Sequence, residues 1–410
     1  MSNLWGDLTG VKPVKLTREL FKGNTYNGRL PHEKAEVRRI LTEERGLSDS
    51  KADLLIEIYE YQQKVLKGEN YSSCGLYIGI PFCPTRCLYC SFTSNQKPYE
   101  EVERYLQALI KEIEYTGRRA KETGLGLETI YIGGGTPTTL DEGQLERLLS
   151  AVRKNYDLSQ IREFTLEAGR PDTITRGKLE IAKNSGVTRI SINPQSMKKR
   201  TLELIGRSHD PEDILKAFEI ADGSGIPIVN CDLIAGLPEE TPEDFRNTLE
   251  TILGLGPANI TVHTLALKRA SRLIEQDSDY HETHSGVVSD MIEMSHEMLR
   301  KEGYLPYYLY RLKRMAGALE NTGWCRPGTE GIYNIRIMDE QQSIMALGAG
   351  GMSKVFFPAE NRLERVPNVS GLPVSPAPTP GSRRASGTSL PPPGETARQS
   401  IQPTEAIQAV

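Results

Sequence analysis

Three cysteines on one short stretch are the residues of this chain with the clearest chemical potential. Cys83, Cys87 and Cys90 occur in the order Cys-Pro-Thr-Arg-Cys-Leu-Tyr-Cys. Thiolates are the ligands that iron–sulfur clusters select, and three of them can hold three irons of a four-iron cluster while the fourth iron stays open. A zinc knuckle and three unrelated cysteines are the alternatives, but structural zinc needs four ligands, usually as two Cys-x-x-Cys pairs. The spacing therefore favours an iron–sulfur cluster over zinc.

The elements around these cysteines predict a parallel α/β fold. The apolar run Leu76–Phe82 leads into the cysteines like a buried strand, which places them at a strand's carboxyl end, where barrel enzymes keep their chemistry. Apolar strands then alternate with helical patterns as far as about Ala270. The predicted strands are Leu76–Phe82, Thr129–Gly133, Glu163–Glu167, Arg189–Asn193, Ile228–Ala235 and Ile260–Leu265. The predicted helices between them are Tyr99–Thr123, Glu142–Asn155, Arg176–Ser185, Pro211–Gly223 and Pro242–Leu253, with Asp141, Thr175, Asp210 and Thr241 as N-caps.

Six such units predict a partial (β/α)6 TIM-like barrel over residues 73–270, because a closed barrel of eight units typically takes about 250 residues. Residues 1–72 are expected to form a small helical module, with helices at Thr17–Phe21 and Lys51–Leu66. Residues 271–369 are expected to form an antiparallel α+β appendage that closes the open barrel. Its predicted parts are a polar linker at Ser271–Gly286, a helix at Val287–Lys301 and strands at Tyr307–Arg311, Gly331–Met338, Ser343–Leu347 and Lys354–Phe357.

The last segment, residues 370–410, is rich in Pro and Ser and poor in aromatic residues. Such a segment cannot bury enough apolar area to offset its ordering entropy, so we expect a disordered tail.

Composition excludes several functional classes. The 50 basic and 54 acidic residues give a net charge of −4, so there is no electrostatic case for a nucleic-acid partner. No apolar run approaches the roughly 20 residues of a membrane span, and the start lacks the pattern of a signal peptide. Six cysteines, three of them in one loop, do not indicate a disulfide framework. We therefore expect a cytoplasmic, monomeric enzyme in which His281, His284 and His296 are exposed surface residues rather than metal ligands.

The cysteine loop and its lead-in resemble a known signature. The pattern Tyr77-x-x-x-Pro-Phe-Cys83-x-x-x-Cys87-x-Tyr89-Cys90 resembles that of radical S-adenosylmethionine (SAM) enzymes, and more narrowly that of the oxygen-independent coproporphyrinogen III oxidase (dehydrogenase) family. The resemblance implies a radical SAM barrel and a 4Fe–4S cluster on Cys83, Cys87 and Cys90. It also implies that SAM binds the open iron and is cleaved to a 5'-deoxyadenosyl radical.

The resemblance also implies a set of cofactor-binding residues for one or two SAM molecules. The turn Gly133-Gly-Gly-Thr-Pro137 follows the second strand, where the resemblance places the cofactor's amino group, although alone it could be an ordinary turn. Glu167 ends the third strand and could accept both ribose hydroxyls, but a carboxylate there usually caps a helix or pairs with an arginine. The implied residues are Tyr77, Tyr89, Gly134, Gly135, Thr136, Glu167, Gln195, Arg207, Asp232 and Ala266.

The resemblance leaves three functions open. The first is oxidative decarboxylation of coproporphyrinogen III to protoporphyrinogen IX, with a flavodoxin- or ferredoxin-like reductant. The second is heme trafficking, as in related heme chaperones, and the third is radical chemistry on another tetrapyrrole. Gly79 and Phe92 depart from the best-characterised oxidases, whereas the chaperones' His-Asn-x-x-Tyr-Trp heme motif is replaced by Tyr333-Asn-Ile-Arg-Ile-Met338. This loss of the usual heme ligand favours catalysis, for which the candidate cations that clamp the substrate are Arg170, Arg207, Arg311 and Arg314.

Overall fold

One eleven-stranded mixed sheet organises the computed structural model, which describes residues 4–10, 12–23, 30–66, 73–90, 95–266, 285–312 and 319–368. Most of the predicted linker, His281, His284 and the tail at 370–410 lie outside these residues. The strands are β1 Ser73–Ile80, β2 Gly126–Gly134, β3 Glu163–Glu167, β4 Arg189–Gln195, β5 Ile228–Ala235, β6 Asn259–Thr264, β7 Leu305–Tyr310, β8 Asn321–Cys325, β9 Ile344–Leu347, β10 Met352–Phe357 and β11 Arg362–Pro367. Their order in the sheet is β11-β10-β9-β1-β2-β3-β4-β5-β6-β8-β7.

Six neighbouring parallel strands, β1 to β6, form the predicted barrel-like core. The helices between them are α4 Tyr99–Thr123, α5 Glu142–Asn155, α6 Arg176–Asn184, α7 Lys199–Leu204, α8 Pro211–Ser224 and α9 Pro242–Leu255. Each predicted N-cap is confirmed, since the side chains of Asp141, Thr175, Asp210 and Thr241 all accept a backbone N–H of the first helical turn. These caps and the buried strands confirm the partial (β/α)6 architecture.

The sheet remains open, because β11 and β7 are edge strands and do not pair with each other. The C-terminal strands extend it at both sides: β8 and β7 add antiparallel to β6, whereas β9 adds parallel to β1. The expected appendage is thus neither wholly antiparallel nor a closure of the barrel.

Gly331–Met338 was predicted as a strand, and this prediction is wrong. The stretch forms helix α11, Ile332–Asp339, after α10, Ser285–Lys301. Glu163, the first residue of β3, accepts the backbone N–H groups of Ile332 and Tyr333 and so caps the helix from a distant part of the chain. Arg336 pairs with Glu128 near the start of β2 at 2.8 Å, so α11 lies across the amino ends of the strands.

Tyr333 of α11 is buried against the sheet. Its ring stacks on Tyr131 with centroids 4.5 Å apart, and Tyr131 is 6.3 Å from the ring of Tyr77. This tyrosine column, Tyr77, Tyr131 and Tyr333, fills the interior below the carboxyl ends of the strands.

The N-terminal helices pack on the β7 side of the sheet. They are α1 Pro13–Lys22, α2 Lys34–Arg39 with a π-helical turn Ile40–Glu44, and α3 Asp49–Leu66. Trp5, Leu41 and Leu55 form a buried cluster with Leu309 of β7. The buried ammonium of Lys51 binds Glu320 and Glu293, each at 2.6 Å, which ties α3 to the sheet edge and to α10. None of the helices that the structure describes combines the length and apolar character needed to cross a membrane.

Candidate active site

The cysteine loop leaves β1 and is held by its neighbours. The backbone N–H of Cys83 donates to Asn95 O at 3.2 Å, and that of Leu88 donates to Ile205 O at 2.9 Å. The Thr85 hydroxyl donates to Gly206 O at 3.1 Å. Cys87 is buried, while Cys83 and Cys90 are half-buried. The fold therefore presents the three thiols on an anchored loop at the carboxyl end of a strand, as predicted.

The number of thiols on the loop fits a cluster better than structural zinc. Three thiolates can hold three irons of a four-iron cluster, whereas structural zinc takes four ligands. Within the described part of the chain, the one group of three possible ligand atoms within 4.8 Å of one another is Glu293, His296 and Glu320, and it contains no loop cysteine.

The other three cysteines are poor candidates for ligands. Cys74, Cys231 and Cys325 are completely buried. Burial raises the pKa of Cys74 and of Cys325 to about 12, so both remain thiols at neutral pH.

Two arginines flank the loop, Arg170, which is buried, and Arg207, which is half-buried. Arg170 donates to Cys87 Sγ at 3.6 Å and to Thr85 Oγ1 at 2.8 Å. Arg207 donates to the carbonyl oxygens of Gly169 and Asn193 and to the Tyr89 hydroxyl, at 3.1, 3.3 and 3.1 Å. The Nε atom of Arg207 is buried and has no hydrogen-bond partner. Two guanidinium groups beside three thiols favour an anionic occupant, such as a thiolate-bound cluster or a carboxylate.

The glycine turn after β2 packs directly on this loop. The N–H groups of Gly135 and Thr136 donate to Ile80 O at 2.8 Å and Phe82 O at 2.7 Å, and Thr136 Oγ1 lies 3.4 Å from Cys83 Sγ. A Cβ on Gly135 would stand 2.4 Å from Phe82 O, so only glycine fits. Because both amides have protein partners, a bound amino group, which donates hydrogen bonds, would use carbonyl oxygens of the turn.

Two carboxyl groups with their hydrogen-bond donors lie next to the glycine turn. Glu167 accepts hydrogen bonds from the Tyr131 hydroxyl and from the Gly134 backbone. Asp232, in the middle of β5, accepts from Asn230 at 2.9 Å and faces His263 Nε2 at 3.6 Å. Burial raises the pKa of Glu167 to about 7, and the nearby charge of Asp232 adds to the rise. The predicted residues Tyr77, Gly134, Glu167 and Asp232 thus meet around one interior site.

Gln195 and Ala266 complete the predicted set. Gln195 ends β4 with φ of +67°, and its buried Oε1 has no hydrogen-bond partner. A left-handed backbone and an unsatisfied buried oxygen are both costly, which marks Gln195 as a position suited to a ligand. Ala266 follows β6 by two residues and is placed at this end of the sheet by strand order.

Two further predictions need correction. Arg311 was a candidate substrate clamp, but it is buried, donates to Leu8 O and lies over the Trp5 ring at 4.7 Å, so it serves the N-terminal packing. Arg314 lies outside the described residues. His296 was expected on the surface, but it is buried beside Trp324, with ring centroids 5.1 Å apart. The Glu293–His296–Glu320 group already holds the Lys51 ammonium, which occupies the place of a cation.

Sequence reasoning missed several residues of the site. Tyr131 stands two residues before the glycine turn, and the strand alternation that points Gly133 inward points Tyr131 inward too. His263 and Tyr310, whose hydroxyl lies 3.2 Å from His263 Nδ1, come from β6 and β7 and carry no local signal.

Comparison with known proteins identifies relatives of the chain. The model of the radical SAM superfamily matches residues 77–252. The oxygen-independent coproporphyrinogen-III oxidase-like protein HemZ of Bacillus subtilis is 38% identical over 355 residues, covering 85% of this chain and 70% of that protein. The heme chaperone HemW of Escherichia coli is 29% identical over 294 residues, covering 69% of this chain and 70% of the relative.

The solved structure of coproporphyrinogen III oxidase (HemN) from Escherichia coli has a similar fold, with a TM-score of 0.57. It is 23% identical and aligns over 74% of this chain and 68% of that one. Membership of the radical SAM superfamily implies a 4Fe–4S cluster and SAM, and the thiols, the arginines and the unsatisfied Gln195 oxygen described above fit these groups. The chain belongs to the radical SAM superfamily, in the family of oxygen-independent coproporphyrinogen-III oxidase-like proteins.

Proposed function

We propose that this protein is a radical SAM enzyme that converts coproporphyrinogen III to protoporphyrinogen IX without oxygen. One juxtaposition carries the proposal: the three-thiol loop, the glycine turn and the carboxyl groups of Glu167 and Asp232 lie together toward the carboxyl ends of the strands. The similarity to the oxygen-independent coproporphyrinogen-III oxidase-like protein HemZ of B. subtilis supports the same activity.

The residues divide between two ligands. Cys83, Cys87 and Cys90 would hold the cluster. One or two SAM molecules would lie against Tyr77, Tyr89, Gly134, Gly135, Thr136, Glu167, Gln195, Arg207, Asp232 and Ala266. Arg207 is suited to a carboxylate because the buried N–H on its Nε atom has no hydrogen-bond partner. Glu167 and Asp232 are acceptors and are suited to ribose hydroxyls.

When bound, the cluster and SAM supply a 5'-deoxyadenosyl radical that can remove a hydrogen atom from carbon. Each of two propionate side chains would lose one hydrogen atom to form 5'-deoxyadenosine, then carbon dioxide and one electron, which leaves a vinyl group. The lost electron passes to a one-electron acceptor. A flavodoxin- or ferredoxin-like protein would supply the electron that the cluster needs.

The direct test is an anaerobic assay with a strong reductant, SAM and coproporphyrinogen III. We expect 5'-deoxyadenosine, carbon dioxide and protoporphyrinogen IX from the wild type and from Cys325→Ala, whose thiol is buried away from the loop. Cys87→Ala should form none of them. SAM cleavage without decarboxylation by the wild type would reject the assignment.

Heme trafficking is the second candidate, and the heme-chaperone relatives favour it. Against it stands Tyr333, which occupies the place of the chaperones' heme-binding histidine. It is buried and stacked on Tyr131, so this position offers no ligand to heme at the surface. Titration with heme should therefore reveal no tight stoichiometric complex. A tight heme complex, together with inactivity on coproporphyrinogen III, would favour the chaperone function. Turnover of a different tetrapyrrole in the same assay would favour the third possibility.

A further inference from the structure

Arg170 makes contacts that the proposed reaction does not explain. Its side chain is 3% exposed, and its guanidinium reaches two residues of the cysteine loop, Cys87 Sγ at 3.6 Å and Thr85 Oγ1 at 2.8 Å. A distance of 3.6 Å is normal for an N–H donor and a sulfur acceptor, because sulfur is larger than oxygen. Arg170 is thus aimed at one of the proposed cluster ligands.

A second set of contacts fixes the guanidinium in this position. Ser208 Oγ accepts from Arg170 at 2.7 Å and donates to Asp172 at 2.6 Å. Asp172 also accepts from Arg170 Nε at 3.2 Å. The planar fork of arginine can satisfy all of these partners at once, which a lysine ammonium cannot do with the same geometry.

The charges around Arg170 determine how much positive charge its guanidinium presents to Cys87 Sγ. Asp172 is the carboxylate paired with Arg170, and its side chain is 25% exposed, so water partly screens its charge. Burial, together with the nearby charges of Arg207 and Arg170, lowers the pKa of the adjacent His209 to about 4, so this neighbour is neutral. The guanidinium therefore retains positive character toward the sulfur.

We propose that Arg170 is a positioning residue that raises the reduction potential of the cluster through its hydrogen bond to Cys87 Sγ. The inference rests on the proposed ligation of the cluster by Cys83, Cys87 and Cys90. Reduction adds one electron, supplied by the flavodoxin- or ferredoxin-like reductant, and no bond is made or broken. The reduced cluster carries one more negative charge, so a fixed N–H donor with positive charge stabilises it more than the oxidised form. Arg170 thereby makes the cluster easier to reduce.

The test is a redox titration of the reconstituted protein without SAM, followed by electron paramagnetic resonance of the reduced cluster, with the iron content measured in each sample. In Arg170→Met, we expect the ratio of reduced to oxidised cluster at a fixed potential to fall about tenfold, a shift of about 59 mV for one electron. Arg170→Gln and Arg170→Lys, which keep a donor or the charge, should fall between this variant and the wild type. The matched control is Arg147→Met, since Arg147 is an exposed arginine paired with Glu103 on the surface.

Thr85→Val separates the effect of Arg170 on the reduction potential from its anchoring of the cysteine loop. It removes the contacts of the loop with Arg170 and with Gly206 O but leaves the sulfur hydrogen bond, so iron content should drop while the loaded fraction keeps the wild-type potential. If Arg170→Met binds no iron, the reduction potentials of Arg170→Gln and Arg170→Lys test the inference instead. A wild-type potential in every variant that retains iron would overturn the inference while leaving the cluster site intact. A wild type that binds no cluster would overturn both proposals, whereas a shifted potential without decarboxylation would leave this inference standing.

Discussion

Glu167 and Asp232 are half-buried carboxyl groups of one site, and their pKa values move in opposite directions. Burial raises the pKa of Glu167 to about 7, from an ordinary value of 4.5. Burial would also raise the pKa of Asp232, but hydrogen bonds and charge from His263 and hydrogen bonds from Asn230 and Thr261 outweigh it and lower that pKa. Near neutral pH, Asp232 therefore holds the negative charge while Glu167 can take up or release a proton.

The raised pKa of Glu167 predicts a pH-dependent stability. The unfolded carboxyl group ionises above about 4.5, whereas the folded group keeps its proton up to about 7, so its contribution is present at low pH and lost as pH rises through 7. In denaturant unfolding of the cofactor-free protein between pH 5 and pH 8, Glu167→Gln should remove this loss, worth up to about 3 kcal/mol. The same slope in wild type and variant would contradict the assignment.

Glu240 offers a matched control for this experiment. Its pKa is also raised to about 7 by burial, but it accepts from Ser196, and neither residue is among the proposed cofactor contacts. Glu240→Gln should change the pH dependence of stability and leave SAM affinity unchanged. Glu167→Gln should weaken SAM binding about tenfold, because one of the two carboxyl oxygens that can accept from the ribose hydroxyls is replaced by an amide donor.

At the scale of elements, the glycine turn and the cysteine loop form one unit. Hydrogen bonds from Gly135 and Thr136 to Ile80 and Phe82 join the end of β2 to the end of β1, so the two predicted cofactor segments cannot move independently. The turn therefore sets the position of the thiols as well as its own.

Gly135→Ala should break this unit. Its Cβ would lie 2.4 Å from Phe82 O, and relieving such a backbone clash typically costs about 1–3 kcal/mol. We expect lower thermal stability together with a loss of bound iron after reconstitution. The control is Gly143→Ala in α5, where the nearest atom to the new Cβ is 3.5 Å away and alanine favours the helix. Equal iron content in the two variants would refute the coupling.

Helix α11 could not be predicted from the local sequence, unlike the elements of the parallel core. The parallel strands, the helices between them and their caps follow from periodicity and from Asp141, Thr175, Asp210 and Thr241, all local features. By contrast, α11 is short and its cap is Glu163, far away in the chain, so its apolar residues were mistaken for a strand. The contact between Arg170 and Cys87 is hidden for the same reason, because tertiary structure alone brings the two together.

Glu163→Ala tests this distant cap. The change removes the acceptor of the first N–H groups of α11 and leaves the buried Arg189 without its carboxylate partner at 3.7 Å. Loss of one member of a buried pair costs about 3–5 kcal/mol, measured as the free energy of unfolding in denaturant. Glu146→Ala on the exposed face of α5 should change it by less than about 0.5 kcal/mol. A similarly small effect at Glu163 would mean that α11 does not depend on this cap.

At the scale of the whole molecule, the amino ends and the carboxyl ends of the strands have different roles. The amino ends of the strands are covered by α11 and held by Glu163 and Glu128, whereas the carboxyl ends carry the thiols, the glycine turn and the flanking arginines. The tyrosine column fills the space between them. The amino ends of the strands thus contribute to stability, and the residues suited to chemistry lie at the carboxyl ends.

The measurement that tests the proposed reaction most directly follows one hydrogen atom. With coproporphyrinogen III carrying deuterium on the propionate carbons next to the macrocycle, an anaerobic reaction should form 5'-deoxyadenosine that contains one deuterium, as read by mass spectrometry, together with labelled divinyl product. Unlabelled 5'-deoxyadenosine with unchanged coproporphyrinogen III would contradict hydrogen abstraction from the propionate and with it the proposed function.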